Sequence, residues 1–213
     1  MSSAFTPLGD SAVTLALGEG ISPELNDRVV AEARRISAAA IPGVHDVVAA
    51  YASLTIHYDP ERIGYADLIS RLASGGASSM QLPSNVEKQL HEIPVRYDGE
   101  DIHEVAEKVR LSVDEVIRIH TSAEYRAFVI GFVPGFAYLG PLDARLALPR
   151  RDSPRKRVPA GSVAIAEAQT GVYPSETPGG WHLIGTTDTR MFDPGRERPA
   201  LLSVGDRVRF VKA

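Results

Sequence analysis

Hydrophobic and polar positions alternate from Ala12 to Leu17, which predicts a strand. Ser22-Pro23-Glu24 then supplies a capping residue, a proline at the first helical position and an early acid. Leu25, Val29, Ala33, Ile36 and Ala40 keep one helical face until Ile41-Pro42-Gly43 ends it. Val44 to Tyr51 and Ser53 to Tyr58 read as two strands, the second with Leu54, Ile56 and Tyr58 on one face. Asp59-Pro60-Glu61 is expected to open a second helix carrying Leu68, Ile69 and Leu72. This β-α-β-β-α order is most of a ferredoxin-like split unit. Gly75 to Asn85, rich in Gly, Ser and Pro, is the expected linker.

Beyond it, Glu92 to Tyr97 predicts a strand, and two short helices follow with capping-box spacing, Asp101-x-x-Glu104 and Ser112-x-x-Glu115. Tyr125 to Phe132 is rich in strand formers. From there short apolar runs alternate with Gly/Pro turns, and Val158 to Ala166, Thr170 to Tyr173, Trp181 to Thr186 and Arg207 to Lys212 are the expected strands. Many short strands separated by turns predict a barrel or sandwich. The expected fold is therefore α+β, with a small α+β domain over residues 1–82 and a β-rich domain over residues 90–213.

A chain of 213 residues has room for two such cores. Its 44% apolar and 23% charged residues are ordinary for a globular protein. No apolar run approaches the ~20 residues of a membrane helix, and the start of the chain lacks the basic-then-apolar pattern of a secretory signal, so a cytoplasmic location and no membrane association are expected. Cysteine is absent, which removes disulfides, thiolate catalysis and cysteine-ligated metals. A net charge of −4 speaks against general nucleic-acid binding.

The chemistry-bearing residues crowd between Gly131 and Thr187. No phosphate loop and no dinucleotide fingerprint occurs. The six histidines fall into no metal-binding spacing, so no metal is expected on this chain. Ser162 lies in AGSVA rather than in a nucleophile elbow. His120 shares a helical face with Val113, Val116 and Ile117. It reads either as a partly buried histidine whose cation the helix C-terminus favours, or as a proton donor beside Tyr125 and the GFVPGF loop. Arg150, Arg151, Arg155, Lys156 and Arg157 form either a solvated loop or an anion site stiffened by Pro149, Pro154 and Pro159. Phe132, Phe136, Tyr138, Tyr173 and Trp181 read as core or, because several follow Pro-Gly turns, as the lining of a pocket or partner surface.

The words HEIPVRYDG, HTSAEY, GFVPGFAYLG, PRR, VPAGSVAIA, QTGVYP, TPGGWHLIGTT and FDPGRERPALLSVGDRVRFV cover nearly all of residues 91–212 in one order. In them the chain resembles the allophanate hydrolase subunit 1 family, which includes the B subunit of ATP-dependent 5-oxoprolinase and the Kip-type inhibitor of a sporulation histidine kinase. One departure stands out: many members place a basic residue where this chain has Thr186.

The resemblance implies a small ferredoxin-like α+β domain followed by a cyclophilin-like β-barrel of carboxyltransferase type. It implies a companion, the allophanate hydrolase subunit 2 type protein, and for 5-oxoprolinase a third, metal-dependent barrel subunit. The function it implies is ATP-driven opening of 5-oxoproline to glutamate by the complex, with this chain inactive alone. ATP is expected at the level of the complex, and neither metal nor biotin on this chain. Restraint of a histidine kinase is the alternative, and a urea-carboxylase-type carboxyltransferase half is a weaker one. By resemblance the groove takes in His120, Arg151 and Tyr138, and we take these as the candidate catalytic groups, a role the family motif does not itself assign. Arg150, Arg155, Ser162, Gln169 and Tyr173 are then candidates for substrate or anion binding, and Phe132, Pro134, Phe136 and Trp181 for pocket or partner surface.

Overall fold

The computed structural model describes residues 5–74 and 89–213. It divides into two compact units, Met1–Glu87 and Lys88–Ala213. The linker expected over Gly75 to Asn85 lies outside the described residues.

In the first unit, β1 (Phe5–Pro7), β2 (Ala12–Ala16), β3 (Val44–Ala49) and β4 (Ser53–Tyr58) form an antiparallel sheet in the order β1-β2-β4-β3. Helix α1 (Pro23–Ala38) follows β2, and α2 (Tyr65–Ser74) follows β4. The Ser22 side chain accepts the Leu25 N–H at 3.1 Å, and Pro23 stands at the helix start as its fixed φ allows. Val13, Leu15, Leu54 and Ile56 cluster with Val29 and Ile36 of α1 and Leu68 and Leu72 of α2. Two details differ from expectation. Asp59-Pro60-Glu61 forms a turn, with Arg62 and Ile63 donating to the Asp59 carbonyl, and α2 begins only at Tyr65. The strand flanking β2 is β1, too short for its alternation to be read.

The second unit is built on β5 (Leu90–Val95), α3 (Ile102–Val109), α4 (Val113–Ser122), β6 (Glu124–Ile130), β7 (Ala137–Gly140), β8 (Arg155–Val158), β9 (Ser162–Ala166), β10 (Gln169–Val172), β11 (Thr177–Gly179), β12 (His182–Thr186) and β13 (Arg207–Lys212). Seven strands order as β12-β9-β10-β7-β6-β13-β5, with β13 and β5 parallel and the other neighbours antiparallel. The two outer strands of this sheet are brought together where Arg96, just past β5, pairs with Thr186 at the end of β12. The sheet is thus a nearly closed barrel, and closure leaves little unpaired edge for another chain to join. Ile93, Val95, Leu139, Val163, Ile165, Val172, Ile184, Val208 and Phe210 share its core with Val105 of α3 and Val116 and Ile119 of α4.

The expected single strand from Val158 to Ala166 is two, separated by a turn at Pro159 to Gly161. Its first part, β8, pairs with β11 as a separate two-stranded ribbon. All of β9 is buried because it serves two cores: Val163 and Ile165 belong to the barrel core, Ala164 and Ala166 to a second cluster with Phe136, Val158, Tyr173, Trp181 and Leu183. Among the described residues, no helix is long and apolar enough to cross a membrane.

Candidate functional site

Three of the turns rich in Gly, Pro and Thr converge on one place. Gly161 N–H donates to the Tyr173 carbonyl at 2.7 Å, and its own carbonyl accepts the Thr187 N–H at 2.9 Å. Gly161 has a φ of 80°, and a Cβ there would strike the Thr187 carbonyl oxygen, so a glycine is required on both counts. Around this junction opens a cavity of about 390 Å³ lined by Ala160, Gly161, Tyr173, Pro174 and the segment from Thr187 to Pro194. The GFVPGF loop abuts the same wall: Gly135 has a φ of 81°, and a Cβ on it would come within 2.7 Å of the Phe192 Cβ.

The charges of the cavity are largely paired. Asp188 receives both Nη groups of Arg96, at 2.7 and 3.1 Å. Asp193 accepts the Gly195 N–H at 3.0 Å and one Arg190 N–H at 3.2 Å. The Arg96 hydrogen bonds hold Asp188 below the usual carboxylate range, and the Gly195 N–H followed by Arg190 does the same for Asp193. Both are therefore acceptors already in use. The side chains of Asp188 and Arg190 are 87% and 70% exposed, so the cavity's charged rim stands in water. Among the described residues, no group of three or more potential ligands is placed to hold a metal ion.

Of the residues expected in the site, Tyr173 lines this cavity. Its hydroxyl lies against Gly179 and burial pushes the phenol up. Phe132, Phe136, Tyr138, Tyr173 and Trp181 form a connected set of edge-to-face contacts, with centroids 5.0 to 5.8 Å apart. Phe136, Tyr173 and Trp181 are core, Tyr138 is half-buried, and Pro134 and Phe132 are exposed. The aromatic set is thus divided rather than uniformly a surface. Phe132, 59% exposed at a φ of 73°, is its outermost member.

His120 is where expectation and structure part most clearly. It is fully buried, stacked on Phe210 at 4.6 Å. The Thr170 hydroxyl donates to the Ala164 carbonyl at 3.0 Å, so at 2.9 Å from His120 Nε2 it acts as the acceptor. His120 is therefore the Nε2–H tautomer, and its Nδ1 accepts the Tyr97 hydroxyl at 2.8 Å. Burial lowers its pKa to about 3, which leaves the ring neutral. A proton shuttle must reach solvent or substrate; this imidazole reaches neither and ties α4 to β10. The helix C-terminus does not hold it as a cation, because desolvation outweighs the dipole.

The arginines are divided as well. Arg151 Nη1 donates to Asp101 at 2.9 Å and to Glu104 at 3.1 Å, and Arg155 Nη2 donates to the same Asp101 oxygen at 2.6 Å. Asp101, expected as a helix cap, makes no cap bond; its other oxygen accepts the Leu183 N–H at 2.7 Å. Arg151 and Arg155 are consequently committed to holding their segment to the start of α3 and to β12. Arg150 remains exposed, 3.6 Å from Glu167. Ser162 and Gln169 are buried at the starts of β9 and β10. Thr186, the departure from the family pattern, donates its hydroxyl to Asp98 at 2.8 Å.

Arg190, Asp188 and Phe192 are the site residues that sequence reasoning missed. The available signal was a charged run, DTRMFDPGR, directly after the GTT turn and among Gly/Pro breakers.

Residues 3–202 match the family of the carboxyltransferase domain, subdomain C and D. The chain is 42% identical over 217 residues to the B subunit of 5-oxoprolinase from Bacillus subtilis (strain 168), a match covering 96% of this chain and 90% of that protein. Among solved structures, the crystal structure of TTHA0988 matches at 44% identity with a TM-score of 0.85 over 95% of this chain, which spans only 40% of that longer one. The Kluyveromyces lactis urea amidolyase shares the fold, with a TM-score of 0.76 at 18% identity, over 98% of this chain and 15% of that one.

Proposed function

This chain belongs to the family of the carboxyltransferase domain, subdomain C and D, and on that footing we propose that it is a subunit of a 5-oxoprolinase-type complex. The observation that carries this reading is the near-full-length match to the B subunit of 5-oxoprolinase. The complex would open 5-oxoproline to glutamate with hydrolysis of ATP, with ATP use assigned to the complex as a whole. Its other members would be a protein of the allophanate hydrolase subunit 2 type and a metal-dependent barrel subunit, all in the cytoplasm. In the same reading the first unit is ferredoxin-like, with β1 as its fourth strand, and the second is a cyclophilin-like barrel.

The cavity beside Gly161 is one wall of a shared site. Its apolar side chains, Pro174, Met191 and Phe192, suit a small ring, while its charged rim is open to water. A companion subunit placed across that rim would exclude water, and electrostatic contacts inside would strengthen as the local dielectric falls. Arg150, Tyr138, Pro134 and Phe132 flank or extend the aromatic cluster and are assigned to the companion's side of the site. His120, Arg151 and Arg155 act by holding the barrel and its arginine segment in shape. Nothing in this geometry calls for the kinase-inhibitor reading.

The test is ATP-dependent release of glutamate from 5-oxoproline by the chain alone, with the companion, and with both further subunits. Activity only in the full mixture supports a shared site. Activity of the chain alone removes the half-site reading, and an inactive but assembled mixture removes 5-oxoproline as substrate.

A further inference from the structure

The polar groups at the floor of the cavity are bonded within the chain. Gly161 uses its N–H on Tyr173 and its carbonyl on Thr187, and the Thr187 hydroxyl accepts the Thr189 N–H at 3.1 Å. Asp188 is held in the Arg96 fork, and Asp193 is bonded through both oxygens. Arg190 differs. Of the five N–H groups of its guanidinium, one is engaged among the described residues, at 3.2 Å on Asp193. Arg190 is thus the cationic residue lining this cavity, with most of its donors unengaged among the described residues, and it stands with Pro174, Met191 and Phe192 in the same lining.

We propose that Arg190 binds the carboxylate of the substrate and so makes the site selective for small cyclic amides that carry an acid group. This rests on the reading of the cavity as a substrate half-site. A planar guanidinium matches a carboxylate through two parallel N–H···O bonds, a geometry that lysine cannot reproduce. With one N–H kept on Asp193, Arg190 still offers the others to an incoming acid. The ring of that acid then lies against Met191 and Phe192, with its amide directed toward the open side where the companion subunit stands. A neutral lactam lacking the acid loses the contact that orients it here. Because the Arg190 side chain is mostly in water, the free chain binds weakly, and the contact becomes strong once the rim is covered.

The experiment is steady-state kinetics of the assembled complex carrying Arg190→Ala or Arg190→Lys, with 5-oxoproline as substrate. A charged hydrogen bond of this type corresponds to a roughly tenfold to hundredfold effect. The expected result is a KM raised by that factor in R190A, a smaller rise in R190K, and unchanged thermal unfolding of the chain. An unchanged KM in R190A, in a complex whose wild type turns over 5-oxoproline, overturns the role of Arg190 and leaves the proposed function standing. If the wild-type complex is inactive, the proposed function falls, and the site is decided by titrating the isotope-labelled chain with 5-oxoproline and with 2-pyrrolidinone. Amide shifts at residues 190–192 for the acid alone, lost in R190A, support the site. Equal shifts for both compounds, or none, overturn it.

Discussion

Asp101 and Leu183 hold each other at two points: the Asp101 N–H donates to the Leu183 carbonyl at 2.9 Å, and the Asp101 carboxylate accepts the Leu183 N–H at 2.7 Å. The same carboxylate, on a residue 3% exposed, binds Arg151 and Arg155. One side chain thus links the start of α3, the strand β12 and the arginine segment. Replacing Asp101 by Ala leaves Arg151 with Glu104 and Arg155 with Glu100 as their remaining carboxylate partners, and strands the buried Leu183 N–H. A loss of about 3 kcal/mol in unfolding free energy is expected, with a smaller loss for Asp101→Asn, whose amide oxygen still accepts from Leu183. Urea denaturation with unchanged m-value is the check; a midpoint like the wild type's contradicts the role.

His120 predicts an acid dependence of stability. Its folded pKa of about 3 lies below the ordinary 6.5, so the unfolded chain binds a proton that the native ring refuses. The contribution is complete above the unfolded value and is lost as pH falls from about 6.5 toward about 3, at roughly 1.4 kcal/mol per pH unit. His120→Gln retains hydrogen-bonding groups without titrating in this range. Its stability profile is expected to be flatter between about pH 6.5 and about pH 4.5; an identical slope in the two proteins refutes the assignment.

Trp181 and Phe132 are expected to separate core from surface. Trp181 is 5% exposed within the second cluster, so Trp181→Ala should cost about 3–5 kcal/mol and lower the melting temperature markedly. Phe132→Ala should leave the melting temperature nearly unchanged while weakening capture of the companion subunit. Phe132→Gly also relieves a φ of 73°, which L side chains rarely adopt, and is expected to be neutral or slightly stabilising. A large destabilisation by either Phe132 variant would show that the loop is structural.

Barrel closure depends on Gly185. A Cβ there would meet the Arg96 carbonyl oxygen at 2.5 Å and Val95 Cγ1 at 2.8 Å. Gly185→Ala must push the two strands apart, breaking the Arg96–Thr186 bonds of 2.8 and 2.7 Å. Amide exchange at Arg96 and Thr186 is expected to accelerate by about tenfold or more, corresponding to about 1.4 kcal/mol or more of local opening. Wild-type protection at both amides would show that closure tolerates the methyl group.

Short-range physics made part of this protein legible from the order of its residues. Ser22-Pro23 starts α1, and the Ser112–Glu115 capping box forms as read, because partners three residues apart meet in any helix. The alternation of β4 places Leu54, Ile56 and Tyr58 in one core because side chains two residues apart share a face of a strand. The motif words of residues 91–212 identified the family. Their convergence around Gly161 was not legible, because Gly161, Tyr173 and Thr187 meet only when β9, β10 and β12 pair. Local signals misled where a distant partner outcompeted the local one. Asp101 has the spacing of a cap, yet its carboxylate serves Leu183, 82 residues away, and two arginines. His120 stands on a face that reads as either packed or functional, and only the folded barrel shows Tyr97, Thr170 and Phe210 around it. The ribbon of β8 and β11 is invisible in either strand alone, since each pairs with the other and has no apolar alternation of its own. Tertiary structure decided which polar groups were engaged inside the fold, and it left Arg190 with one side-chain hydrogen bond among the described residues. Desolvation and long-range pairing make that choice, and neither is a property of neighbouring residues.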